Sequence, residues 1–298
     1  MKELFDAVEE GNLEKVKELV EQGADINKKY KDGDTPLMLA MRRGREDLEE
    51  YLLNHGADVN CENKNGLTPL MYAMLNRRNS TVKNLLNHGA DVNYKNQNGL
   101  TPLMYAIMNG RNSIAGNLVD RGANVNEADK DGKTALMYAI EKGNNELVLY
   151  LVKHGADVNK VDKYKITALH YAIYNGKNFI ARHLVENGAD VSKKNAAGKT
   201  PWMLAMERKN EKIEEYFLKH GKIISMELFD AVKDGNLEKV KELVGKESVI
   251  NKYRPELLKL TERYKKYDIA TFLLKKEAKR DIPKEDIKSR DKGKERVE

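Results

Sequence analysis

Residues 65–93 read NGLTPLMYAMLNRRNSTVKNLLNHGADVN, and residues 98–126, 33 positions on, read NGLTPLMYAIMNGRNSIAGNLVDRGANVN. Self-similarity at a fixed period of this length marks a repeat architecture, in which each unit stacks on its neighbours. The period continues in both directions. Gly-Ala-Asp-(Val/Ile)-Asn starts at Gly23, Gly56, Gly89 and Gly155, with variants at Gly122, Gly188 and Gly221. An alanine recurs in one phase at Ala7, Ala40, Ala73, Ala106, Ala139, Ala172 and Ala205. Leading into it are TPLMLA at 35–40, TPLMYA at 68–73 and 101–106, TALMYA at 134–139, TALHYA at 167–172 and TPWMLA at 200–205.

Each anchor has a folding reason. Threonine is a helix N-cap, and the proline after it takes a first helical position where its missing N–H costs nothing. Gly44, Gly110, Gly143 and Gly176 end that short helix and allow a tight turn into a second. The second helix is amphipathic, as in Leu85 and Leu86 or Leu147, Leu151 and Val152, and stops at a glycine suited to a left-handed cap. Asp/Asn-x-x-Gly, with Gly33, Gly66, Gly99, Gly132 and Gly198, then supplies a turn. With Gly11 and Gly235 also between helices, eighteen of the 21 glycines and four of the six prolines stand at these points, so they are committed to folding.

These phrases resemble the ankyrin repeat family, whose unit is a β-turn plus two antiparallel helices with a T-P-L-H-x-A signature. The resemblance covers about residues 1–225 without a gap. It implies an all-α repeat fold: an ankyrin-repeat solenoid of helix-turn-helix units with short β-hairpin loops, elongated and curved. Methionine replaces the signature histidine at Met38, Met71, Met104, Met137 and Met203, and His170 alone keeps it. In the family that histidine helps bond neighbouring hairpins, so looser hairpins are expected here. Lys165 replaces a hairpin glycine, so an altered turn is expected there.

The expected organisation is a capping unit at 1–27, six full repeats at 28–225, a cap-like unit at 226–250, a degenerate two-helix unit at 251–280 and a charged tail at 281–298. The cap-like unit rests on ELFDAVKDGNLEKVKELV at 227–244, which copies residues 3–20 except that Glu9 and Glu10 become Lys233 and Asp234. Asp6 and Asp230 stand where inner units carry Tyr72, Tyr105, Tyr138 and Tyr171, which the repeat code reads as core. A terminal cap can expose such a residue, but Asp230 follows full units and a shortened hairpin, so the stack is expected to change geometry at 221–230. Ile269, Phe272, Leu273 and Leu274 are read as the apolar stripe of the last helix pair.

Composition bounds the function. With 40% hydrophobic and 34% charged residues, a thin layered architecture suits the chain better than one thick core. No apolar run approaches the roughly 20 residues of a membrane helix, so no membrane insertion is expected. Acids in MKELFDAVEEGN stand where a signal peptide would be apolar. The one cysteine, Cys61, makes neither an intrachain disulfide nor a cysteine-built zinc site. The expected location is cytoplasmic, with delivery into a host cell if the source is a microbe. Net charge is +6, but the signs are interspersed. Residues 275–298 hold ten Lys/Arg against seven Asp/Glu, a weak case for nucleic acid.

Catalytic constellations are not found. Gly132-Lys133-Thr134 and Gly198-Lys199-Thr200 imitate the end of a phosphate loop, but the upstream glycine positions hold Glu127 and Lys193. His55, His88, His154 and His220 each precede a helix-ending glycine, where they suit the last carbonyls better than a metal. No catalytic residue, cofactor or metal is therefore assigned, and no enzyme is expected.

What remains is surface. In ankyrin-like stacks the hairpin tips and the exposed side of the first helix line a concave groove. Just after the hairpin glycine stand Asp34, Leu67, Leu100, Lys133, Ile166 and Lys199. Two residues past the marker alanine stand Arg42, Leu75, Met108, Glu141, Tyr174 and Glu207, followed by Arg43, Asn76, Asn109, Lys142, Asn175 and Arg208. Apolar groups gather at Leu67, Leu75, Leu100 and Met108 with Tyr94, and again at Tyr164, Ile166 and Tyr174, flanked by Arg42, Arg43, Lys142 and Arg208. An apolar patch rimmed by charge marks a partner site. The expected function is non-enzymatic binding of a partner protein with an apolar patch and acidic rim, as scaffold, adaptor or inhibitor. The alternative is a two-part protein whose repeats recruit a target while 226–298 has a separate docking or effector role.

Overall fold

A computed structural model of the chain describes residues 2–76, 78–219, 226–244 and 247–278. Consecutive helices form pairs. They begin with α1 (Lys2–Glu10) and α2 (Leu13–Glu21), α3 (Pro36–Arg43) and α4 (Glu46–Asn54), then α5 (Pro69–Leu75) and α6 (Asn79–Asn87). Next come α7 (Pro102–Met108) and α8 (Asn112–Asp120), α9 (Ala135–Glu141) and α10 (Asn145–Lys153), and α11 (Ala168–Tyr174) and α12 (Asn178–Glu186). The series continues with α13 (Pro201–Glu207) and α14 (Glu211–Lys219), α15 (Met226–Asp234) and α16 (Leu237–Leu243), and α17 (Glu247–Arg263) and α18 (Tyr267–Ala278). No strand occurs among the described residues, though isolated bridges pair Ala128 with Thr134 and Val161 with Thr167. The chain divides into two units, Met1–Asp190 and Val191–Glu298.

In the first unit, Thr35, Thr68, Thr101, Thr134 and Thr167 each accept a hydrogen bond from the backbone N–H three residues on, at 3.3–3.4 Å. That satisfies one orphan donor at each helix start. Successive first helices α1, α3, α5, α7, α9 and α11 pack side by side, as do α4 on α6 and α8 on α10 on α12. Ala40, Ala73, Ala106, Ala139 and Ala172 are fully buried, and so are Leu52, Leu85, Leu118, Leu151 and Leu184. Small residues bring the first helices close, and each buried leucine contributes about 1.5–3 kcal/mol.

Asparagine ties one repeat to the next. Asp25, Asp58, Asp91, Asn124 and Asp157 each accept, through Oδ1, the N–H two residues on, at 2.8–3.0 Å. Those N–H groups belong to Asn27, Asn60, Asn93, Asn126 and Asn159. Each of these asparagines accepts through Oδ1 from the backbone N–H 31 residues later, at 2.7–2.8 Å. Each donates through Nδ2 to the glycine carbonyl 29 residues later, at 2.8–3.3 Å. The hairpins also bond directly, Lys64 N–H to Asp32 O, Lys130 to Asn98 and Lys163 to Asp131, at 2.7–3.0 Å.

Two expectations are corrected by this geometry. Met38, Met71, Met104 and Met137 are buried to within 1% and serve as core, while the asparagine ladder and hairpin bonds hold adjacent units without a histidine. His170 adds a capping box, its Nδ1 accepting from the Thr167 N–H at 3.2 Å. Lys165 does not alter its turn: it adopts a φ of 57°, and Asp162 accepts from Tyr164 and Ile166 at 2.8 and 2.9 Å. The corresponding bonds at Asn63 are 3.0 and 3.1 Å.

In the second unit, Thr200 caps α13 at 3.2 Å and buried Trp202 lies 6.3 Å from buried Phe217. Helix α15 packs on α14, and α17 lies along both α13 and α15. Lys259 pairs with Glu207 and Arg263 with Glu214. Glu214 stands five periods after Glu49, which pairs with Arg78 in the first unit and accepts from Thr81 at 2.8 Å. Burial pushes both carboxyls up despite their arginines. Asp230 is exposed, so no buried carboxylate has to be matched there. Ile269 and Leu273 are buried, but Leu274 is 49% exposed and leaves the expected stripe. Residues 221–225 and the tail at 281–298 lie outside the described residues.

A left-handed backbone costs a side-chain-bearing residue about 1–2 kcal/mol. Lys165 is exposed, so Lys165→Gly removes that strain and loses little else. Urea unfolding should show a gain of about 1 kcal/mol after the added freedom of the unfolded glycine is offset. A loss would show that the turn is unstrained.

Candidate functional site

The two groove positions stand eight residues apart in each repeat, and in three repeats they are ion-paired. Arg42 Nη1 meets Asp34 Oδ2 at 3.0 Å, and Lys133 Nζ meets Glu141 Oε2 at 2.6 Å. In the second unit Lys199 meets Glu207 at 2.7 Å. The same pair of positions holds Leu67 and Leu75, Leu100 and Met108, and Ile166 and Tyr174. Some repeats thus carry an ion pair where others carry two apolar side chains. Leu67, Leu100, Met108 and Ile166 are half-buried, whereas Leu75 is 46% and Tyr174 37% exposed.

Beneath these residues runs a row of tyrosines. Tyr72, Tyr105, Tyr138 and Tyr171 were expected as core, but all four are half-buried. The turn that starts each repeat positions two of them. Asp129 Oδ1 accepts from the N–H groups of Asp131 and Lys133 at 2.9 and 2.8 Å, which aims Oδ2 at the Tyr138 hydroxyl, 2.5 Å away. Asp162 does the same for Tyr171, at 2.8 Å. The Lys133 ammonium lies 4.8 Å from the Tyr138 ring centre and 5.3 Å from that of Tyr171, within cation–π reach of both. Burial, and then the bond to the aspartate, hold both hydroxyls well above the usual tyrosine range.

The other expected residues scatter. Tyr94 lies beside Glu62, and burial with that carboxylate pushes its hydroxyl up to about 12. Tyr164 is 57% exposed, under the Lys163 ammonium at 5.1 Å. Arg42 and Arg43 are exposed but already paired, with Asp34 and Glu9. Lys142 is exposed at the end of α9, and Arg208 is exposed in the second unit. Cys61 donates to Asp58 O at 3.3 Å, and burial pushes its thiol up, away from thiolate chemistry. His55, His88 and His154 each place Nδ1 at 2.7–2.8 Å from the carbonyl four residues back, while His220 lies outside the described residues. Among the described residues no group of His, Cys, Asp or Glu is arranged to hold a metal ion. None of the described helices is long and apolar enough to cross a membrane.

The tyrosine–aspartate bonds have a pH signature. An acid whose folded pKa is raised adds stability that is complete below the unfolded value of about 10 and is lost as pH climbs above it. The urea midpoint should fall above pH ~10, and less steeply in the double variant Tyr138→Phe, Tyr171→Phe. Equal slopes would show that the aspartates do not hold these hydroxyls.

Comparison with known proteins agrees with this geometry. A family profile described as ankyrin repeats (3 copies) matches residues 4–96, 80–162 and 157–227. Among curated proteins no sequence matches significantly. Among solved structures, the ankyrin repeat domain of Bcl-3, described as a unique member of the IkappaB protein family, is 31% identical. The match covers 72% of this chain and 96% of that domain, with a TM-score of 0.63. The chain belongs to the ankyrin repeat family.

Proposed function

We propose that the protein is a non-enzymatic interaction module that binds a partner protein through the groove face of its second to fifth repeats. Ankyrin repeats, and the likeness to the Bcl-3 domain, support a protein-interaction role in general. The observation that carries the finer reading is the exchange of ion pairs for apolar pairs at Leu67/Leu75, Leu100/Met108 and Ile166/Tyr174. Folding does not require it, because Lys133 and Glu141 fill the same two positions. Exposed and half-buried apolar side chains at positions free to be charged act as desolvated anchors. Because Arg42 and Arg43 are engaged within the stack, Lys142 is the flanking cation best placed to meet an acidic rim. Such a rim charge adds association speed and salt dependence more than affinity.

Affinity capture with the full chain, followed by mass spectrometry, identifies the partner. The double variant Leu75→Ser, Met108→Ser should keep thermal stability within about 1 kcal/mol, since surface changes seldom cost more. It should weaken capture at least tenfold, or about 1.4 kcal/mol. A large stability loss with capture unaltered would show these residues to be core and the binding site to lie elsewhere.

A further inference from the structure

The second and third repeats differ from the fourth in two linked ways. The fourth closes its groove with the Lys133–Glu141 pair and its tyrosine with the Tyr138–Asp129 bond. The second and third carry Leu67/Leu75 and Leu100/Met108 instead of an ion pair, and Asn63 and Asn96 instead of the aspartate. Asn63 and Asn96 keep the turn, each accepting through Oδ1 from two N–H groups at 2.9–3.1 Å. Their second amide atom is a donor where aspartate offers an acceptor, and the Asn63 Nδ2 is directed to Asp34 at 2.8 Å. Among the described residues, the hydroxyls of Tyr72 and Tyr105 therefore have no protein acceptor, and Tyr105 is pushed up by burial alone.

No ionised side chain occupies the two groove positions of these repeats. Lys64, in the second repeat's own turn, donates to the Lys31 carbonyl at 2.8 Å. A charged group entering this window would lose water without gaining a counter-charge. What the window offers is apolar surface and two hydroxyl donors on neighbouring helices. Packed helices lie about 8–10 Å apart. An extended chain of polyproline-II form has three residues per turn and rises about 3.1 Å per residue, so its carbonyls three residues apart face the same way about 9 Å apart and match that spacing. A helix uses its own carbonyls internally and offers none along its side.

We infer, resting on the partner-binding reading above, that the second and third repeats take an extended, uncharged apolar segment of the partner. Two of its backbone carbonyls accept from Tyr72 and Tyr105. Apolar side chains of the segment lie over Leu67, Leu75, Leu100 and Met108.

The test uses the full chain as bait for a phage library of unconstrained nonapeptides. The enriched peptides should have apolar, uncharged centres without the i, i+3, i+4 apolar spacing of a helix. The most enriched peptide should lose affinity about tenfold with Tyr72→Phe plus Tyr105→Phe, which keeps the rings and removes only the donors. Asn96→Asp, which restores the acceptor that Tyr138 has, should weaken the same peptide several-fold. Neither variant should lose its circular dichroism melt. Enrichment of charged or helix-patterned peptides, or none at all, overturns the inference. Binding that falls with Leu75→Ser plus Met108→Ser but ignores Tyr72→Phe plus Tyr105→Phe overturns the extended segment and leaves the partner face standing. Binding indifferent to both overturns the two readings together.

Discussion

One asparagine per repeat carries the register of the first unit. It reaches 29 residues ahead for a carbonyl and 31 ahead for an N–H, so both its bonds are made only when the neighbour is a full period away. Both groups it meets are backbone, which makes the clamp indifferent to the side chains of the next hairpin. The carbonyl always belongs to the helix-ending glycine, whose φ of 81–88° turns the chain where the clamp closes. Glycine is the residue that adopts this conformation without strain. The preceding aspartate or asparagine holds the clamp's own N–H, which fixes the direction from which the side chain extends. Stacks of this kind draw stability from nearest-neighbour interfaces, so five such clamps between Asn27 and Asp190 set how the unit holds together.

Freed from setting register, the groove positions can vary. Ion pairs and apolar pairs occupy the same two places eight residues apart, and the backbone turns beneath them stay alike. Asp129 and Asn63 both accept two N–H groups through one oxygen, and differ only in what their second atom shows to the tyrosine. Chemistry on the groove face can therefore change by one residue without disturbing the fold. This is the physical sense in which a repeat scaffold separates stability from recognition.

The folding residues were the most readable in sequence, because caps, turns and left-handed glycines act locally. Threonine before the first helices, glycine after the second and the buried alanines all stand where the 33-residue period puts them. The clamp itself escaped notice, since its partners are backbone groups of another repeat. Its signal was present all the same: a polar residue kept at 27, 60, 93, 126 and 159 with no local cap or turn to explain it. Both groove rows were found, but their pairing was not, because an i, i+8 contact runs from a hairpin back onto the following helix. Tyr94 directly follows the clamp asparagine Asn93 rather than a hairpin glycine. The helix period reads the four tyrosines as core because it cannot distinguish a buried ring from a half-buried one. Leu274 shows the same limit: within a run of four apolar residues, only packing decides which one faces out.

The clamp is tested most directly by removing it from the middle of the unit. Asn126 bonds the Asp157 N–H at 2.7 Å and the Gly155 carbonyl at 2.8 Å, and is half-buried. Asn84, on the outer side of α6, is exposed and bonds nothing with its side chain in the neighbouring repeat, so it is the control. Two net hydrogen bonds are worth about 1–3 kcal/mol, while an exposed helix substitution stays within about 0.5 kcal/mol. Urea unfolding followed by circular dichroism should show Asn126→Ala destabilised by about 2 kcal/mol relative to Asn84→Ala. Equal midpoints for the two variants would contradict the account, because the repeats would then be held in register by packing alone.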